Sequence, residues 1–201
     1  MWYFVKNFLF GFIYVIFMGL VPYGIETIDG QTIRILLNIV NILVYFLIMG
    51  VSMFKEGEKA RELLTTNNTE RKRILQTGEL RPIKRAPEYR PWKGFLMGGI
   101  ISAPLILFLA IHALIALFGG TYEMFGVVAV TFYMGFFMPY ILLKYGGMLN
   151  EQILFKEYFI CLYAVPVIVL LYGIMYIIGA KKVEKRYAFI EARVKAGKGE
   201  N

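Results

Sequence analysis

Five apolar runs dominate this chain, at residues 7–25, 35–54, 94–118, 124–143 and 158–180. Each is long enough to cross a bilayer core, which takes about 20 residues of helix. Charged side chains make up only 18% of the 201 residues and apolar ones 58%, whereas an ordinary soluble domain carries about 25% charge. There are too few polar groups to cover a water-soluble core of this size. The pattern reads as an all-α, polytopic integral membrane helical bundle of about five transmembrane helices, with four plus a re-entrant segment as the alternative.

The runs fall into two blocks, and the stretch between them, Lys55 to Lys93, is polar and basic. It holds eleven Lys and Arg against six Glu. The chain therefore divides into a first helical pair (1–54), a basic loop (55–93), a second set of spans (94–180) and a basic tail (181–201). The formal net charge of +8 fits cytoplasmic loops against anionic headgroups better than nucleic-acid binding. The loop is expected on the cytoplasmic side of a plasma or inner membrane.

Within the loop, Lys55–Leu64 reads as an extension of the second span, with Glu58 and Arg61 spaced to pair. Thr65–Thr69 reads as a break, and Asn67 with Glu70 has the spacing of a capping box that opens a short helix to about Gln76. Three prolines between Arg81 and Lys93 forbid a regular helix. Arg81, Lys84, Arg85, Arg90, Trp92 and Lys93 are expected along the headgroups. In the tail, Val183, Tyr187, Ile190 and Val194 form one apolar stripe of a basic helix suited to an anionic leaflet. Lys181, Lys182, Lys185 and Arg186 join the headgroup contacts.

Charge and span number disagree. Five full spans leave at least eight cations on the outer side, whereas one non-crossing segment after the loop leaves only three, with nineteen inside. The segment 124–143, containing Gly135 and Pro139, is the candidate for re-entry.

Two features carry functional interest. In the third span Gly94, Gly98 and Ser102 recur every four residues, and Gly99 and Ala103 repeat the interval beside them. Small residues at this spacing let helix backbones approach closely. The one histidine, His112, lies about 9 Å along the helix axis before Phe118. With Glu123 it forms a possible intramembrane polar site; the plainer reading is a neutral imidazole bonded to neighbouring backbone. Asn38 and Asn41 read as interface positions near a helix end rather than as bonds across helices.

No paired carboxylates, phosphate loop, nucleophile–base pair or metal-ligand spacing is present, and the single cysteine, Cys161, cannot form an internal disulfide. A non-enzymatic role is expected ahead of an enzymatic one, and no cofactor is expected. Three functions remain: an accessory or scaffold subunit of a membrane complex, a transporter or channel subunit, or a lipid-acting enzyme, in that order. The expected partners are anionic lipid headgroups and other membrane subunits or a second copy.

Overall fold

A computed structural model describes residues 2–78, 88–120, 124–146 and 155–197. Its elements are α1 (Trp2–Ile25), α2 (Gln31–Thr77), α3 (Trp92–Leu117), α4 (Met124–Phe132), α5 (Met134–Tyr145), a 3-10 helix (Phe155–Tyr163) and α6 (Ala164–Gly197). Among the described residues there is no strand. The helices α1, α2, α3 and the 3-10 helix with α6 are each long and apolar enough to cross a membrane. Their outward faces carry Phe17, Leu36, Leu47 and Leu107, all exposed, as lipid-facing positions of a multi-pass membrane protein should be.

The centre of the bundle is α6, wedged against α2 on one side and α3 on the other. Glycines make both contacts. A Cβ on Gly57 would collide with the Tyr176 carbonyl, and one on Gly179 with the Phe54 carbonyl. On the other flank, a Cβ on Gly94 would lie 2.9 Å from Tyr172 O, and one on Gly98 2.7 Å from Val169 Cα. Ser102 continues that stripe and is fully buried. The parallel stripe behaves differently: a Cβ on Gly99 would meet nothing within 4 Å, and Ala103 is exposed. Thus one small-residue stripe is consumed within the chain and the other faces outward.

The fourth apolar run does not cross as a straight helix. It breaks between α4 and α5, and the two halves meet at 104°. Both outer ends return to the Gln31 end of the bundle: α4 begins seven residues after α3 ends, while Gln31 Nε2 donates to Leu142 O at 2.5 Å and Arg34 to Gly146 O at 3.4 Å. The break itself lies deep, where the Tyr133 hydroxyl donates to Ile101 O at 2.6 Å. The described residues thus hold four helices long and apolar enough to cross, or five if the bent pair is counted as one broken span, and the return of both outer ends to one side matches the alternative of four spans plus a re-entrant pair. The bend falls at Tyr133, before Gly135 and Pro139. Gly19 of α1 makes room for it, because a Cβ there would lie 2.7 Å from Phe132 O and 2.8 Å from Thr131 O.

At the Lys55 end α2 and α6 leave the bundle side by side. Lys182 pairs with Glu58 at 2.9 Å, Arg61 with Glu184 at 2.9 Å, and Arg186 with Glu62 at 3.2 Å. The expected Glu58–Arg61 pairing within α2 is therefore replaced by pairing across to α6. The helix α6 passes Lys181 without interruption, and Val183 of the tail stripe is fully buried while Tyr187 and Ile190 are exposed.

The expected break at Thr65–Thr69 is also absent. Here α2 runs 47 residues without interruption. The hydroxyls of Thr65, Thr66 and Thr69 bond back to the carbonyls four residues earlier, which keeps these side chains inside the helix instead of capping a new one. Asn67 turns sideways to Glu88 rather than capping. The helix ends at Gly78, whose φ of 74° suits glycine and whose N–H closes on Ile74 O at 2.8 Å.

Asn41 also departs from expectation: its Nδ2 donates to Met18 O of α1 at 2.9 Å, a bond across helices, while Asn38 bonds Arg34 O in its own helix at 3.0 Å.

The two stripes of α3 should separate in a stability assay. Forcing a side chain into a close contact costs about 1–3 kcal/mol or more. Gly98→Leu is expected to lower the detergent-solubilised melting temperature by several degrees, and Gly99→Leu to leave it unchanged. Equal melting temperatures for the two variants would contradict the packing described.

Candidate functional site

Three buried tyrosines surround the break in the re-entrant pair. Tyr133 comes from the α4–α5 junction, Tyr45 from α2 and Tyr172 from α6, with at most 3% of any of them exposed. The Tyr45 and Tyr172 hydroxyls are close enough to interact, yet neither makes a well-aligned hydrogen bond, and the same holds for Ser102 Oγ. The Tyr45 ring meets Phe136 edge-on at 5.7 Å. Tyr172 reaches α1, since a Cβ on Gly11 would lie 2.8 Å from its hydroxyl. The result is a cluster of neutral hydroxyls at the meeting point of α1, α2, α3, α6 and the break. Sequence reasoning missed it because its members come from separate segments and tyrosine in a span ordinarily reads as packing.

His112 lies nearer the Gln31 end and is fully buried. Its ring meets Tyr158 edge-on at 5.1 Å and Phe159 at 5.8 Å. Gly126 of α4 closes over it; a Cβ there would be 2.9 Å from His112 Cε1. The imidazole is thus boxed by aromatic rings. Glu123, its expected partner, lies outside the described residues.

A third polar group was not foreseen. Glu157 accepts from Tyr140 at 3.2 Å, from Tyr145 at 2.5 Å and from Lys144. The Lys144 ammonium also lies 4.9 Å from the Tyr145 ring centroid. This cluster ties α5 to the 3-10 helix.

Chain neighbours at the Lys55 end are fixed by Glu88, which accepts from Asn67 at 2.5 Å and from Arg71 at 2.5 Å. Lys93 is buried and donates to the Glu88 carbonyl at 2.7 Å, so its charge faces inward. Tyr89 stacks on Tyr176 at 5.5 Å under the Arg61 guanidinium. Burial, with the nearby Glu184 carboxylate, pushes the Tyr89 phenol above its ordinary value, against the pull of Arg61. Of the other expected headgroup residues, Arg90 and Trp92 are exposed, and Arg81, Lys84 and Arg85 lie outside the described residues. Lys182 and Arg186 turn to acids of α2, whereas Lys181 and Lys185 are exposed.

No family model, curated protein or solved structure matches this chain. Chemistry must therefore be judged from the side chains. Among the described residues no three His, Cys, Asp or Glu side chains come together as a metal site. Cys161 is buried and unpaired with any other cysteine. Among the described residues the buried polar groups include the tyrosine hydroxyls with Ser102, the boxed His112 imidazole, and the Glu157 carboxylate with its Tyr140, Tyr145 and Lys144 donors.

The tyrosine cluster makes a differential prediction. Tyr133→Phe removes a bonded hydroxyl and should destabilise by about 0.5–1.5 kcal/mol. Tyr172→Phe removes a hydroxyl lacking a well-aligned partner and should be neutral or stabilising in thermal unfolding. A larger loss from Tyr172→Phe than from Tyr133→Phe would contradict these bonding assignments.

Proposed function

We propose that this chain is a non-enzymatic accessory or scaffold subunit of a membrane complex, held to its neighbour through the outward face of α3. The observation that carries this reading is the open small-residue stripe. Gly99 and Ala103 are left uncovered while the adjacent stripe is packed against α6. Beside them an apolar groove of about 680 Å³ is lined by Phe8, Ile100, Pro104, Leu107 and Ala110, among others. In lipid there is little hydrophobic drive between helices, so close backbone approach at small residues is what selects a partner. The occupant is a transmembrane helix of another subunit.

The same reading orients the chain. Counted along the sequence, with the loop and the tail at one end, nineteen of the 22 Lys and Arg fall on that side and only Arg34, Lys144 and Lys156 on the other. The bias supports a cytoplasmic loop and cytoplasmic termini in a plasma or inner membrane. Tags at both ends should then be labelled only after permeabilisation.

A photoreactive residue at Ala103 is expected to cross-link a protein, either a second copy or another subunit, whereas one at Leu170 should cross-link lipid. Ala103→Leu should dissociate the complex in mild detergent without lowering the melting temperature. Lipid-only products from Ala103 would reject the reading. A second reading, a transporter or channel subunit, draws support from the broken segment and its hydroxyl cluster, since non-helical backbone at membrane depth lines protein or water-filled sites. Under that reading His112→Ala would abolish flux, and an unchanged flux would reject it.

A further inference from the structure

The outward face of α6 changes character where the helix leaves the apolar region. Leu170, Ile174 and Ile178 follow one another at intervals of four and are 52%, 48% and 46% exposed. Directly beyond Ile178 come Lys181, Lys182 and Lys185 on the same face, and these four residues line a recess of about 320 Å³. An apolar track thus runs into a cationic recess.

The three lysines are not equivalent. Lys182 is held by Glu58 at 2.9 Å and lies 4.9 Å from the Phe54 ring centroid. Lys181 and Lys185 have no acidic partner among the described residues. They stand four apart on one helix, a spacing at which like charges destabilise the helix. An anion placed between them relieves that repulsion. The exposed side chains of Ile178, Ile174 and Leu170 continue from that recess as an apolar track.

We propose that this face of α6 is a binding site for one anionic phospholipid, its phosphate between Lys181 and Lys185 and an acyl chain along Ile178, Ile174 and Leu170. The site requires only that α6 crosses a bilayer and is independent of the partner reading on α3. A lipid, rather than soluble phosphate, is the occupant because the recess opens onto the apolar track.

The test is native mass spectrometry of the full chain in neutral detergent, titrated with phosphatidylglycerol or with phosphatidylcholine of the same acyl chains. Each lysine near an anionic group is worth about fivefold in affinity, so the wild type should prefer phosphatidylglycerol by about 25-fold. Lys181→Gln/Lys185→Gln should abolish the preference, Lys185→Gln alone should reduce it about fivefold, and Lys181→Arg/Lys185→Arg should keep it. Equal binding of the two lipids by the wild type, or an undiminished preference in the Gln variants, overturns the proposal. So does displacement of phosphatidylglycerol by an equal concentration of glycerol phosphate, which would make this a site for a free phosphate. Because the wild-type ratio is read directly, a Gln variant that fails to fold leaves the test intact.

Discussion

Close backbone contact along α6 is the constraint on which the rest of the structure depends. Lipid tails are as apolar as leucine, so burying apolar surface gives helices little reason to associate within a bilayer. Dispersion between closely packed backbones, together with weak Cα–H contacts to carbonyls, must supply much of the attraction. Gly57 and Gly179 provide it toward α2, and Gly94 and Gly98 toward α3. Once α6 is clamped on both flanks, the basic tail has to emerge beside the basic loop, and the ion pairs there follow. Each such exposed pair contributes about 0.2–1 kcal/mol, so they align the two extensions rather than hold the bundle together.

The re-entrant pair is the second consequence. A segment entering and leaving at one end must turn inside the bundle, and its backbone groups there cannot turn to water. The break meets this demand locally. Tyr133 N–H bonds Ala129 O at 3.2 Å, and its carbonyl accepts from Phe136 at 2.9 Å. The Tyr133 side chain then anchors the turn to α3. Gly19 and Gly135 are where α1 lets the bend come close.

How much of this was legible in the residues depends on whether local pattern or tertiary contact decides. The apolar runs mark the spans because length and composition alone distinguish lipid from water. The Gly94–Gly98–Ser102 interval marks a packing stripe for a similarly local reason, and the clash between charge bias and span number singles out 124–143, the segment that is bent by 104°. The turn at Tyr133 was hidden because neither Phe132 nor Tyr133 breaks helices; their neighbours Gly19 and Ile101 make the bend. Thr65–Thr69 misled for the opposite reason. These residues favour caps in isolation, yet their hydroxyls bond back to carbonyls four residues earlier and Asn67 bonds Glu88, and α2 runs on without interruption. The hydroxyl cluster was invisible because Tyr45, Tyr133 and Tyr172 meet only after folding.

The uninterrupted course of α2 has a mechanical meaning. From Lys55 to Thr77 the helix adds 23 residues beyond its apolar part, about 35 Å of rise. Braced by α6 at Glu58, Arg61 and Glu62 and by Glu88 at Asn67 and Arg71, it is a rigid extension rather than a flexible loop. Its far end carries Lys72, Arg73 and Leu75 exposed, and because one continuous helix joins them to the apolar part, any tilt of that part moves these side chains through an arc.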